Sequence, residues 1–153
     1  MSEVLSFASS RRAAALLTLL LLAVLALPRP APAEPAAPGE TAAVRQVIEG
    51  QLQAFQRDDG GAAFGYATPI LQRKFGNPDR FMQMVQSGYD PVYRPREVEF
   101  QGAELAGEGI IQKVLFVDRN GRAWLARYTM ERMGDGSWKI GGVWLEALPD
   151  LST

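Results

Sequence analysis

A chain of 153 residues, 47% hydrophobic, 22% charged and with a formal net charge of −1, has the length for one domain with a buried core. It lacks the basic excess that nucleic acid or an anionic membrane surface would call for. There is no histidine and no cysteine. This excludes imidazole bases, thiolate nucleophiles, disulfides, Cys/His zinc sites and a Ser-His-Asp triad. No glycine-rich phosphate loop is present either, and no cofactor is expected.

The chain opens on a pattern that reads as a signal peptide over residues 1–33. Arg11 and Arg12 form a basic start, Ala13 to Leu27 is an apolar run of 15 residues, Pro28 stops any helix, and Ala31-Pro32-Ala33 offers small residues for cleavage. The run is short for a hydrocarbon core that needs roughly 20 residues, so no stable membrane insertion is expected after cleavage. Ala13-Ala14-Ala15 continues the arginine pair poorly for a twin-arginine signal, which favours general secretion and a periplasmic or secreted bacterial protein. Without Arg11, Arg12, Arg29 and Glu3 the chain keeps 13 basic and 16 acidic residues, a net of −3.

Residues 34–40 continue a Pro/Ala-rich stretch (28–40) that reads as an extended, disordered tether. Residues 41–149 are expected to form one domain. Thr41 reads as the cap, and Val44, Val47, Ile48, Leu52 and Phe55 then share one helix face, ending near Arg57 or Asp58. Asp58-Asp59-Gly60-Gly61 breaks the chain before a short helix carrying Ala62, Ala63, Phe64 and Tyr66 up to Pro69, with a further turn or two through Ile70, Leu71 and Phe75. Asn77-Pro78-Asp79 is a helix start with cap, proline and acid in order, and Gly88 is a stop. Pro91 and Pro95 predict an extended connector, so residues 75–95 read first as a stiff segment that plugs the core and only second as a lid.

From Arg96 the period becomes two. Val98 and Phe100 alternate with Glu97 and Glu99, and a second strand follows over about 110–117. Asp118-Arg119-Asn120-Gly121 is hairpin chemistry, and the third strand puts Trp124, Ala126, Tyr128 and Met130 on one face. Gly134-Asp135-Gly136 turns into a last strand through Trp138, Ile140, Val143, Trp144 and Leu145, where Gly141-Gly142 predicts a bulge. Helices followed by four antiparallel strands make an α+β domain, with the helices packed on one face of a curved sheet.

The stretch "AFQRDDGGAAFGYATPILQRKFGNPDRFMQMVQSGYDPVYRP" and the closing "DGSWKIGGVWLEAL" carry a resemblance. Over residues 41–148 the chain resembles the nuclear transport factor 2-like (cystatin-like) superfamily, and more narrowly an uncharacterised bacterial family of small secreted proteins within it. The resemblance implies a cone-shaped sheet. It leaves function open, because that fold hosts isomerases, dehydratases, binders and interaction domains.

With imidazole and thiol excluded, the remaining chemistry is that of carboxylate, tyrosine and arginine. Relatives implied by the resemblance that isomerise or dehydrate use an Asp base with Tyr or protonated Asp donors inside the cone. Asp58 and Asp59 are the tempting pair, yet helix capping explains them better. Glu97 and Glu99 share a strand face that reads as solvated beside Arg94, Arg96, Lys113 or Arg127. No catalytic residue and no metal ligand is assigned. Tyr66, Tyr93, Trp124, Tyr128 and Trp144 are the candidate ligand-binding set, drawn from aromatics that also include Tyr89 and Trp138 and that compete with core packing for the same residues.

The expected function is a non-enzymatic exported domain that binds a small apolar ligand or an envelope protein. A cofactor-free isomerase or dehydratase is the alternative, and a structural dimer module without ligand is the third reading. An acid facing the cavity favours the enzyme, an open aromatic cavity without one favours the binder, and a filled cone favours the module. A homodimer is expected because Val114 to Val117 and Trp124-Leu125 put apolar side chains on both faces of adjacent strands, and a partner sheet is a common symmetric cover.

Overall fold

Pro38 opens the first helix three residues ahead of Thr41. The computed structural model describes residues 32–149, so the expected signal peptide lies outside the described residues except for its last two positions. Helix α1 spans Pro38–Gln56 with Ala37 as a cap that makes no side-chain bond. Proline suits the first turn because it has no N–H to lose and its φ is already helical. Thr41 sits inside the helix and turns its hydroxyl back to the Ala36 carbonyl at 3.5 Å.

The segment expected as a free tether is paired with the sheet. The Leu105 amide donates to the Glu34 carbonyl at 2.8 Å, the Ala36 amide donates to Ala103 at 3.0 Å, and Pro35 bridges to Glu104. Alternate backbone groups of an extended Pro/Ala stretch can satisfy a strand edge even where proline lacks a donor.

Three short helices follow, and two of them carry the cap the sequence predicts, while Thr68 caps the third without having been singled out. α2 spans Gly60–Gly65, where Asp59 accepts from the Ala62 amide at 2.9 Å. α3 spans Pro69–Phe75, where Thr68 accepts from Leu71 at 3.4 Å, and α4 spans Pro78–Gly88, where Asn77 accepts from Arg80 at 2.9 Å. The connector after Gly88 departs from expectation. Pro91 does not hold it extended but starts a helical turn, α5, Asp90–Tyr93, since a proline in the first turn costs no hydrogen bond.

Strands β1 (Glu97–Ala106), β2 (Gly109–Val117), β3 (Ala123–Arg132) and β4 (Trp138–Ala147) form one antiparallel sheet in the order β1-β2-β3-β4. Helices packed against this four-stranded sheet make the α+β fold. Gly121 and Gly136, both at φ 83, occupy the two later turns at angles that other residues resist. Each sheet edge is covered over part of its length: residues 34–36 lie along the end of β1, and on β4 the Thr68 amide donates to Ile140 while the Ile140 amide donates to Tyr66, each at 2.9 Å. Such cover shortens the free edge that could template edge-to-edge aggregation.

The core lies between α1 and the inner sheet face. Val44, Ile48 and Phe55 of α1 meet Val114 and Phe116 of β2 and Met130 of β3, all essentially inaccessible. Two polar groups on that face stay unpaired. Tyr128 and Gln112 stand opposite each other in register, and neither the Tyr128 hydroxyl nor the Gln112 Oε1 has a hydrogen-bond partner among the described residues. Burial pushes the Tyr128 hydroxyl's pKa far above its ordinary value. On the outer face, Glu97 and Glu99 are exposed, Arg96 reaches Glu97 at 3.5 Å, and Gln101 donates to Glu99 at 2.8 Å. They form the solvated strand face that the sequence suggests.

Candidate functional site

Strand β4 makes room for a pocket by having no side chain to fill it. Thr129 pairs with Gly142 and Met130 with Ile140, which leaves Gly141 as an extra, unpaired residue, the bulge that the glycine pair predicts. A Cβ on Gly141 would run into the Glu131 side chain, and Gly142 lies opposite the exposed Thr129. Both positions therefore face outward. Between Ile140 and Val143 the inner face of β4 is bare backbone.

Over this floor lies a pocket of about 250 Å³. Gln51 and Phe55 of α1, Leu71, Lys74 and Phe75 of α3, and Phe81, Met84 and Val85 of α4 wall it. Tyr89 and Val92 of the α5 segment close the remaining side. Phe81 is the hub of the aromatic wall, with ring centroids 6.2 Å from Phe55, 5.6 Å from Phe75 and 5.4 Å from Phe64. The polar groups are few. Gln51 spends its Nε2 on the Ala63 carbonyl at 3.2 Å, and the Tyr89 hydroxyl donates to the Val143 carbonyl at 3.3 Å, tying the connector to β4. Lys74 stands at the rim, and among the described residues no carboxylate lines the pocket.

Residues 75–95 thus do more than plug the core, because they supply six of the lining residues. The five aromatics singled out in the sequence are not brought together, and none of them lines the pocket. Tyr66 packs over Gly50. The Tyr93 hydroxyl donates to Asp58, which also pairs with Arg94 at 2.9 Å, while Arg94 Nη1 donates to the Phe55 carbonyl at 2.9 Å. That cluster ties off the C-terminal end of α1, where Asp58 adopts φ 54. Trp124 donates its indole N–H to Asp118 at 2.9 Å. Tyr128 is sealed in the core, and Trp144 is 69% exposed on the outer face.

Asp118 is the one buried acid among the described residues. The indole hydrogen bond from Trp124, aided by the amides of Arg122 and Asn120, holds its carboxyl below the usual range against the opposing effect of burial. It is an ionised turn residue. Of the pair singled out in the sequence, Asp59 is occupied as the α2 cap, whereas Asp58 caps no helix and is held by Arg94 and Tyr93. Among the described residues no group of three or more Asp or Glu is placed to hold a metal, and no helix is long and apolar enough to cross a membrane.

What the arrangement offers chemically is an apolar recess with aromatic walls, a bare backbone floor and a cationic rim. No curated protein and no solved structure matches the chain. A family model described as a domain of unknown function, DUF4864, matches residues 38–153, beginning at the first residue of α1. The chain belongs to the DUF4864 family.

Proposed function

We propose that this domain binds a small apolar ligand in the pocket over the β4 bulge and performs no chemistry on it. One observation carries the reading: the pocket is walled by Phe55, Phe75, Phe81 and Tyr89 and has no acid among the described residues of its lining. A general base needs a carboxylate in a dry site within reach of substrate. The acids with a catalytic reading are instead taken up by capping, turn and ion-pair roles. A cofactor-free isomerase therefore has less support than a binder. The order of helices and strands supports membership of the nuclear transport factor 2-like superfamily, and the N-terminal residue pattern supports export to the periplasm or beyond; both belong to the proposal.

Titration with the neutral fluorophore N-phenyl-1-naphthylamine tests the binding reading. Its emission should rise saturably with the protein. Leu71→Trp, which fills the pocket from α3, should abolish the rise, whereas Ile70→Trp, at a position 62% exposed and outside the lining, should not. An absence of saturable emission in the unmodified protein, or equal loss in both variants, contradicts the reading.

A second reading adds a partner rather than replacing the ligand. Trp144 is 69% exposed on the outer sheet face, where it stands across from Arg127 of β3. A second copy of the chain covering the outer face accounts for a tryptophan left exposed among the described residues. Light scattering at micromolar concentration should give a dimer that Trp144→Ser converts to monomer; a monomer throughout rejects it.

A further inference from the structure

Lys74 differs from the other two lysines of the chain. Lys113 pairs with Glu104 at 2.5 Å, and Lys139 donates to the Gly65 carbonyl at 2.5 Å. Lys74 has neither an ion pair nor a hydrogen-bond acceptor among the described residues, and it is the one charged residue lining the pocket. Its ammonium lies 5.9 Å from the Phe75 ring centroid, beside an aromatic wall of that pocket. A position in the last turn of α3 is favourable for any cation. That preference accounts for Arg73 and Lys74 equally, yet only Lys74 reaches the lining.

We infer that the ligand is a small amphiphile with an anionic head, a carboxylate of the short fatty-acid kind, whose apolar tail lies over the β4 bulge and whose head meets Lys74. The inference rests on the pocket being a binding site. At roughly 30 Å³ for a methylene-sized group, the share that a water takes in the liquid, the 250 Å³ of the pocket admit about eight such groups. The rim then receives a head group of one carboxylate. A neutral head leaves the lysine in water and gains nothing from it. A cationic head meets like charge with no lining acid to offset it.

The test is displacement of N-phenyl-1-naphthylamine by octanoate, 1-octanol and octylamine, in the unmodified protein and in Lys74→Gln, Lys74→Arg and Lys74→Glu. Octanoate should displace about twofold to fivefold more strongly than octanol, the range expected of a solvent-exposed ion pair, and octylamine more weakly than either. Lys74→Gln should bring octanoate down to the level of octanol while octanol is unchanged. Lys74→Arg should keep the preference, and Lys74→Glu should transfer it to octylamine. If all three ligands displace alike and the variants change nothing, the anionic head is overturned while the pocket stands. If the fluorophore binds and no eight-carbon ligand displaces it, the ligand class is overturned. Failure of the fluorophore itself overturns the binding reading and this inference together.

Discussion

Replacing Tyr128 with phenylalanine should stabilise the protein, the reverse of what removing a polar group from a well-bonded core does. The Tyr128 side chain is completely inaccessible, and its hydroxyl has no hydrogen-bond partner among the described residues. In the unfolded chain that hydroxyl bonds to water, so burying it unpaired costs about 1–3 kcal/mol. Phenylalanine keeps the ring and its packing on Phe116, whose centroid is 6.5 Å away, and gives up the dispersion contacts of one oxygen, about 0.1–0.2 kcal/mol each. The net expectation is a gain of about 0.5–2 kcal/mol. In urea this raises the unfolding midpoint by a few tenths of a molar or more at unchanged slope, for m near 1–3 kcal/mol/M. The pH dependence carries an independent sign. Burial raises the folded-state pKa of Tyr128 above its unfolded value, so the native state retains a proton that the unfolded state gives up. Stability from this group is fully present below about pH 10 and falls as pH rises past it. The advantage of the phenylalanine variant should therefore widen in alkali. A loss of 1 kcal/mol or more at neutral pH refutes the unpaired hydroxyl, because only a satisfied one loses a hydrogen bond on substitution.

Two other substitutions test the local structure. If Asp59 caps α2, Asp59→Asn should cost little and Asp59→Ala about 0.5–2 kcal/mol in urea unfolding, since asparagine caps as well as aspartate; an asparagine variant more stable than the parent contradicts the capping role. At Gly109 a Cβ would lie 2.5 Å from the Met130 carbonyl oxygen, a backbone atom that cannot swing away, so Gly109→Ala should cost about 1–3 kcal/mol, whereas Gly142→Ala, which meets open space, should stay within about 0.5 kcal/mol.

The sheet was legible because its alternation is strong and its turns carry their own chemistry. Ile110, Val114 and Phe116 lie inward, as the period of two requires, and Asp118 begins the hairpin turn that its sequence announces. The start of α1 was less so. A cap search favours Thr41, but the helix uses Pro38, whose value lies in a fixed φ rather than in a side-chain acceptor. Pairing of residues 34–36 with β1 was hidden for a related reason: strand edges recruit backbone, and a Pro/Ala stretch shows no side-chain pattern for that.

The aromatic set singled out in the sequence differs from the pocket lining for a reason visible in β4. Trp138 and Ile140 face inward, and simple alternation carries Trp144 inward with them. The extra residue at Gly141 reverses the parity, so that Val143 and Leu145 pack against the core and Trp144 faces out. The glycine pair signalled the bulge, but not what the bulge does to every residue after it. The pocket follows from the same device, since two outward glycines leave its floor bare. Phe81, Met84 and Val85 have ordinary core spacing, and nothing in that spacing distinguishes a wall from a filled interior. Lys74 carried no signal in the sequence, because its distinction is the acceptor it lacks.

The central claim is that a ligand enters the space over the β4 bulge, and backbone amide NMR during titration with 1-octanol tests it most directly, because that probe needs no charge at the rim. Shifts should concentrate at Leu71, Phe81, Tyr89 and Gly141 to Val143, the residues that frame the pocket. Shifts confined to Leu115, Val117 and Trp144 on the outer sheet face, or no saturable shift at all, would contradict it.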